Sequence, residues 1–338
     1  MIFIPQTTRE EVVARMTRAY VGVCLGMKSN IPGLPTYREV VGVYNKNGIP
    51  RIRLYEADRD MLQALDSAGS NIEVMLGIPN DRIETLATTP AAAETWVKDN
   101  IINYTSVDFK YIVVGNEVDL ATKASLLQNA LQNIFQALRK QGRETQINVT
   151  TAIGDELLSD QSFSPPSRGV FKDNVAGSMG NILKFLNEHG YPLLVNVHPF
   201  KCYAGKPDAD KQYLNFALFK PSSYQIRDKA LVYSNLFDAI LDSLHAAVEN
   251  ANKGTPFKPG LVIAETGWPS AGFGTAASVA NARTFISKIT EKLEKGTPKY
   301  PVPISVYITS FYDEKMNNTD NEWDKNWGLF EIDGKPKY

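Results

Sequence analysis

Residues 108–117 read DFKYIVVGNE, and residues 121–142 read ATKASLLQNALQNIFQALRKQG. The first stretch is apolar through 111–114 and β-branched at 112–114, which spells a buried strand, and it ends in a carboxylate. The second keeps Leu126, Leu127, Ala130, Ile134, Phe135 and Leu138 at helical spacing. One such strand–helix unit is common; its recurrence decides the fold. Upstream, AYVGVCLGM precedes TYREVVGVYNKNG, PRIRLYEA precedes RDMLQALDSAG, and NIEVMLGIP precedes a helical stretch ending near WVKDNIINY. Downstream, INVTTAIG leads past Pro165 and Pro166 to NILKFLNEHG, and PLLVNVHPF leads through a polar insertion at 201–232 to SNLFDAILDSLHAAVENAN. GLVIAETGW precedes SVANARTFISKITEKLEKG, and ISVYITSFYDE is the eighth strand. Glycine stands where a helix should stop before the next strand, at Gly48, Gly69, Gly142, Gly190 and Gly296. Strands that are apolar throughout suit a parallel sheet covered on its outer face. Eight such units predict an α/β chain folded as a (β/α)8 TIM barrel over 19–338, after an N-terminal extension at 1–18. A doubly wound open sheet is the alternative, although no GxGxxG or P-loop marks a phosphate-binding first turn.

The composition excludes several functions. With 338 residues, 43% of them hydrophobic, and a formal net charge of −1, the chain has core enough for a barrel and no basic field. Neither nucleic acid nor an anionic membrane is an expected partner, and no apolar run approaches the roughly 18 residues of a membrane span. Cys24 and Cys202 read as small buried thiols; whether they pair depends on geometry that sequence does not give. No CxxC or HExxH spacing occurs, and His189, His198 and His245 form no ligand pattern, so no metal or cofactor is expected. The opening MIFIP is too short for the apolar core of a secretory signal. Sequons at Asn103, Asn148 and Asn317 are weak evidence for secretion.

Chemistry enters with two glutamates. Glu117 ends the fourth strand and Glu265 the seventh, which puts both on the C-terminal rim where barrels of this kind carry their sites. Either alone would read as an ion-pair member. Together they suit cleavage of a sugar–sugar bond, which with retention needs two carboxyl groups roughly 5–5.5 Å apart. At that distance and an effective dielectric near 20, two charges repel by about 3 kcal/mol. That is about two pKa units, enough to keep one carboxyl protonated into the mildly acidic range. Asn116 can bond a sugar hydroxyl beside Glu117 only if the strand ends or bulges there, which Gly115 allows. Trp268 reads equally as a sugar-stacking wall and as core. Glu73 begins the third strand, on the opposite rim, and reads as a structural residue. Asp155 and Glu156 read as a solvated loop.

At these residues the chain resembles plant glycoside hydrolase family 17, the endo-β-1,3-glucanases, from about Tyr20 to Tyr338. The motifs VGVCLGM, RIRLYEAD, IEVMLGIPN, PAAAETWVKDNI, YIVVGNEV, IAETGWPS, FYDE, WGLF and KPKY occur in the family's order. The resemblance implies a (β/α)8 barrel that cleaves β-1,3-glucosidic bonds with retention. Glu117 would be the acid/base and Glu265 the nucleophile. Asn116 would contact the sugar beside the cleaved bond, and the Tyr55 hydroxyl would donate to the nucleophile. Glu314 would support sugar binding or the charge network. The partner would be a β-glucan polysaccharide or oligosaccharide, and the protein a secreted monomer of cell wall or vacuole. The alternatives are a mixed β-1,3-1,4-glucanase, a glucanosyltransferase, and a glucan-binding or allergen-like protein with weak activity.

The chain also departs from the family pattern. Leu25 stands where Tyr is usual. NVHPFKCY replaces NIYPYFAY, which puts His198 in place of a cleft Tyr and Lys201 in place of an aromatic. Asn317 stands where Lys is usual, with Lys315 two residues away, and KNWGLF brings in Trp327. These changes bear on which glucan is bound and how well, and leave both glutamates in place.

Overall fold

The computed structural model describes residues 20–26, 34–69, 71–159, 162–206, 209–254, 256–315 and 319–338. The expected extension at 1–18 and the Asn317 position lie outside the described residues. In chain order the strands are β1 (Val21–Leu25), β2 (Arg51–Leu54), β3 (Glu73–Ile78), β4 (Asp108–Asn116), β5 (Asn148–Gly154), β6 (Leu193–Asn196), β7 (Ile226–Asp228), β8 (Leu231–Tyr233), β9 (Leu261–Thr266) and β10 (Val306–Ile308). Strands β7 and β8 form an antiparallel ribbon at the end of the polar insertion. The other eight close into a barrel in the order β1-β10-β9-β6-β5-β4-β3-β2, every neighbour parallel. The (β/α)8 expectation holds, and the open-sheet alternative falls because β1 pairs with β10 through Val21–Val306 and Val23–Ile308.

The helices are α1 (Tyr37–Lys46), α2 (Arg59–Ala68), α3 (Ile83–Thr88), α4 (Pro90–Val97), α5 (Leu120–Lys140), α6 (Asp173–His189), α7 (Pro199–Ala204), α8 (Lys211–Ala217), α9 (Leu236–Ala251) and α10 (Val279–Lys292). Their starts are written locally. Thr36 and Glu39 close a capping box on α1, Asp119 accepts from the Ala121 N–H at the head of α5, and Ser278 accepts from Asn281 at α10. Of the expected stop glycines, Gly69 and Gly190 cap α2 and α6 in the left-handed conformation, while Gly48, Gly142 and Gly296 follow just past the caps of α1, α5 and α10. None of the described helices is long and apolar enough to cross a membrane.

Alternation along the strands divides the core into two layers. Val23, Ile52, Val74, Ile112, Val149 and Leu193 face the helices, whereas Cys24, Met75, Val113, Ala152, Leu194, Ala264 and Tyr307 pack inside the barrel. Tyr307 lies flat against Gly22, where a Cβ would fall 2.3 Å from its ring, and so fills the N-terminal end. Arg51 and Glu73 form an ion pair there at 3.1 Å, in keeping with the structural reading of Glu73. Cys24 and Cys202 are both free; burial pushes the Cys24 thiol up to about 12.

Candidate functional site

Both glutamate-bearing strands break step at the C-terminal rim. β4 pairs with β5 in register through Val113 and Thr150 and then slips, so that Asn116 meets Ala152. Gly115 makes the slip possible with φ +74, and any Cβ there would lie 2.4 Å from Val118 Cγ2. Glu117 follows in the left-handed region at φ 50. That conformation costs a side-chain-bearing residue on the order of 1–3 kcal/mol and persists only where neighbours enforce it. Here the Glu117 N–H donates to Ala152 O at 2.9 Å. Asn80 also clasps the preceding residue, accepting its N–H at 2.9 Å and donating to its C=O at 2.8 Å. β9 slips against β6 in the same way, between Val195–Ile263 and Asn196–Glu265. Ala264 already faces inward, and the slip brings Glu265 to the same centre.

The centre is organised by a residue that sequence reading missed. Arg53 is 2% exposed and points up the barrel axis from β2. Its Nη1 donates to Glu265 Oε1 at 2.9 Å, to Ala264 O at 2.8 Å and to Asn196 Oδ1 at 3.3 Å; its Nη2 donates to Asn116 Oδ1 at 2.7 Å. Asn196, also missed, donates Nδ2 to Glu117 Oε1 at 2.6 Å and to Asn116 Oδ1 at 3.0 Å. Burial alone would raise the Glu265 carboxyl, but Arg53, followed by His198 and Lys201, holds it at about 2. His198 is buried, with Nε2 3.5 Å from Glu265 Oε2, and its ring meets Trp327 edge-on at 5.5 Å. One oxygen each from Glu117 and Glu265 and a ring nitrogen of His198 lie within 4.8 Å of one another.

Further acids ring this cluster. Glu314 lies against Gly26, so close that a Cβ on Gly26 would sit 2.1 Å from Oε1. Burial first, and the Glu265 charge second, raise the Glu314 carboxyl to about 7. Asp155 corrects the solvated-loop reading, which Glu156 keeps. Asp155 Oδ2 accepts the His198 N–H at 3.0 Å. Glu156 stays solvent-exposed on the rim; crowding by the surrounding protein first and the Glu117 charge second raise its carboxyl.

Two other readings change. Trp268 is wholly buried, donates its indole N–H to Ala276 O at 2.9 Å, and packs on Phe200 and Phe285. It is core and offers no face to a sugar. Tyr55 stands over the Arg53 guanidinium at 4.7 Å and close enough to Glu265 to feel its charge. Among the hydrogen bonds of the described residues there is none from Tyr55 to Glu265. Tyr55 instead lines, with Arg53, Asn80 and Asn116, an open pocket of about 260 Å³. Of the departures, Leu25 and Trp327 are buried behind the cleft, and Lys201 is exposed at its edge.

Comparison with known proteins agrees with this architecture. The family model for glycosyl hydrolases family 17 matches residues 21–338. A glucan endo-1,3-beta-glucosidase of Vitis vinifera is 41% identical over 94% of this chain and 90% of its own length. Lichenase-2 of Hordeum vulgare is 40% identical over 92% of this chain and 94% of its own. Among solved structures, one of two plant beta-glucan endohydrolases with distinct substrate specificities is 38% identical with a TM-score of 0.85, over 94% of this chain and 98% of that one. CJP38, a beta-1,3-glucanase and pollen allergen of Cryptomeria japonica, is 37% identical with a TM-score of 0.86, over the same 94% and 98%. Barrel, rim glutamates and sequence together make this chain a glycosidase that belongs to glycosyl hydrolase family 17.

Proposed function

We propose that residues 19–338 form a catalytic domain that cleaves internal β-1,3-glucosidic bonds of glucans with retention. The observation that carries the reading is the pair Glu117 and Glu265, with carboxylate oxygens within 4.8 Å on one rim and unlike surroundings. One oxygen of each within 4.8 Å of the other supports the retaining spacing of roughly 5–5.5 Å over the ~6.5–9.5 Å that leaves room for a water between the carboxyls. Arg53 keeps Glu265 ionised, which suits a nucleophile and disqualifies it as the proton donor. Oε1 is occupied by Arg53, so Oε2 is the oxygen that bonds to the anomeric carbon. Glu117, open to the cleft, protonates the departing glycosidic oxygen, and then takes the proton of the water that releases the sugar from Glu265. Asn196 fixes the Glu117 carboxylate through Oε1. The Asn116 carbonyl oxygen is held by Arg53 and Asn196, which leaves its Nδ2 for a sugar hydroxyl. The pocket beside Asn116 and Tyr55 receives the sugar next to the cleaved bond, and Glu314, near 7, bonds a hydroxyl as an acid below neutral pH.

The β-1,3 preference rests on the names of relatives, among which Lichenase-2 is nearly as similar as the glucan endo-1,3-beta-glucosidases. Reducing-sugar release from laminarin and from lichenan separates the two, with laminarin expected to be the better substrate. Glu265→Ala should lower laminarin hydrolysis by roughly 10⁴-fold or more; a wild type no faster than this variant would leave only glucan binding. NMR of the first product should show the β-anomer, and an initial α-anomer would overturn retention. A monomer delivered through the secretory route completes the proposal.

A further inference from the structure

His198 is the departure whose side chain enters the reaction centre. Its ring is 3% exposed, and neither ring nitrogen has a hydrogen-bond partner. The polar neighbour of the ring is the Glu265 carboxylate, at a distance that leaves the imidazole under-coordinated for a buried polar group. The backbone of His198 is fixed by Asp155 at 3.0 Å and its ring is packed edge-on against Trp327, so Nε2 is held toward Glu265. The 3.5 Å from Nε2 to Glu265 Oε2 is too long for a well-formed hydrogen bond. It matches the edge of a coordination tetrahedron, which for metal–ligand bonds of about 2.0–2.1 Å is roughly 3.4 Å. Glu117 supplies a third donor. Its Oε1 accepts from Asn196, one of its carboxylate oxygens lies within 4.8 Å of the other two donors, and a rotation of this exposed side chain closes the remaining gap.

We propose that Glu117, His198 and Glu265 bind a divalent first-row transition cation, with Zn²⁺ the best fit, and that the ion competes with glucan for the two glutamates. One imidazole and two carboxylates are the donor set of such ions and a poor set for Mg²⁺ or Ca²⁺, which take oxygen alone. The Arg53 guanidinium engages Glu265 Oε1 and leaves Oε2 to the ion. Its positive charge weakens the site, so the ion acts as a reversible brake and not as a resident cofactor. Occupied, the site ties up both the attacking oxygen and the proton donor. The competition rests on the proposed function; the binding does not.

The test is a titration of metal-free protein with CoCl₂. It follows the visible absorption of bound Co²⁺, the melting temperature and laminarin hydrolysis together, with ZnCl₂ added to displace the colour. Expected are a saturable absorption, a raised melting temperature and a loss of hydrolysis with one common midpoint, reversed by a chelator. His198→Tyr, which restores the residue usual in the family, should weaken Co²⁺ binding by at least about ten-fold. Glu117→Gln, a change at an exposed side chain that keeps its shape, should do the same with the native circular dichroism intact. Unchanged Co²⁺ affinity in either variant, or no absorption at millimolar Co²⁺, would overturn the site. Metal binding that depends on His198 in a protein that does not hydrolyse laminarin would uphold the site and sink the glucanase reading instead.

Discussion

Arg51 and Arg53 lie two residues apart on β2 and face the same side, yet they belong to different ends of the barrel. Arg51 meets Glu73 at 3.1 Å where both side chains are about one-fifth exposed, and the pair closes the N-terminal mouth beside Tyr307. Arg53 meets Glu265 at 2.9 Å with the arginine side chain 2% exposed and the glutamate 12%. The chemistry of the two pairs is alike; their surroundings are not. At the wet end water does much of the solvation, and the pair is worth little. At the dry end each charge depends on the other, and the arginine fixes which form of Glu265 exists. A rise of two residues along one strand converts a structural ion pair into part of the proposed reaction centre.

The comparison is easiest to break at Arg53. Arg53→Met leaves Glu265 buried without its counter-charge and should cost about 3–5 kcal/mol in chemical denaturation. It should also raise the Glu265 carboxyl from about 2, so the acidic limb of kcat/KM moves to higher pH. In the parent protein the depressed carboxyl lends stability that is complete above its ordinary value of 4.5 and fades as pH falls toward 2. That pH-dependent loss should be absent from melting curves of Glu265→Gln. Combining Arg53→Met with Glu265→Gln removes the stranded charge. The double variant should therefore be more stable than Arg53→Met alone, yet inactive because it lacks the Glu265 carboxylate. Trp268→Phe tests whether burial at the working rim is itself function. It loses the bond to Ala276 and some volume, for about 1–3 kcal/mol, and KM for laminarin should not change. A raised KM would return Trp268 to the sugar. Arg51→Met should cost at most about 1 kcal/mol and leave the pH profile where it was; a shifted limb would mean that the two ends communicate.

Much of this was legible in the sequence. Strand–helix recurrence announced the barrel, and Gly115 before Asn116 and Glu117 announced the break in β4. Arg53 was harder to see. RIRL carries a charge between Ile52 and Leu54, but a strand buried on both faces does not say which of its residues point to the axis. That depends on how eight strands close, and on slips such as the one between Ile263 and Glu265, where nothing in LVIAET marks a break. Asn196 and Asp155 were hidden for the same reason, since each acts across the rim on a residue 79 or 43 positions away. Trp268 misled because an aromatic after a catalytic strand end can fold either outward to substrate or back over the core, and only packing on Phe200 and Phe285 decides. His198 was singled out by its departure from the family, but its nearness to both glutamates is a fact of three dimensions.

The Tyr307 ring laid over Gly22 gives the barrel a blind end. The axis between the mouth at Arg51 and Glu73 and the acids above is filled by Met75, Val113, Leu194 and Tyr307. The molecule thus has a handle and a working edge. A linker, an affinity tag or a solid support joined around Glu73 would hold the enzyme with its cleft facing a polymer too large to enter any vessel. The same attachment at the opposite rim would blindfold it.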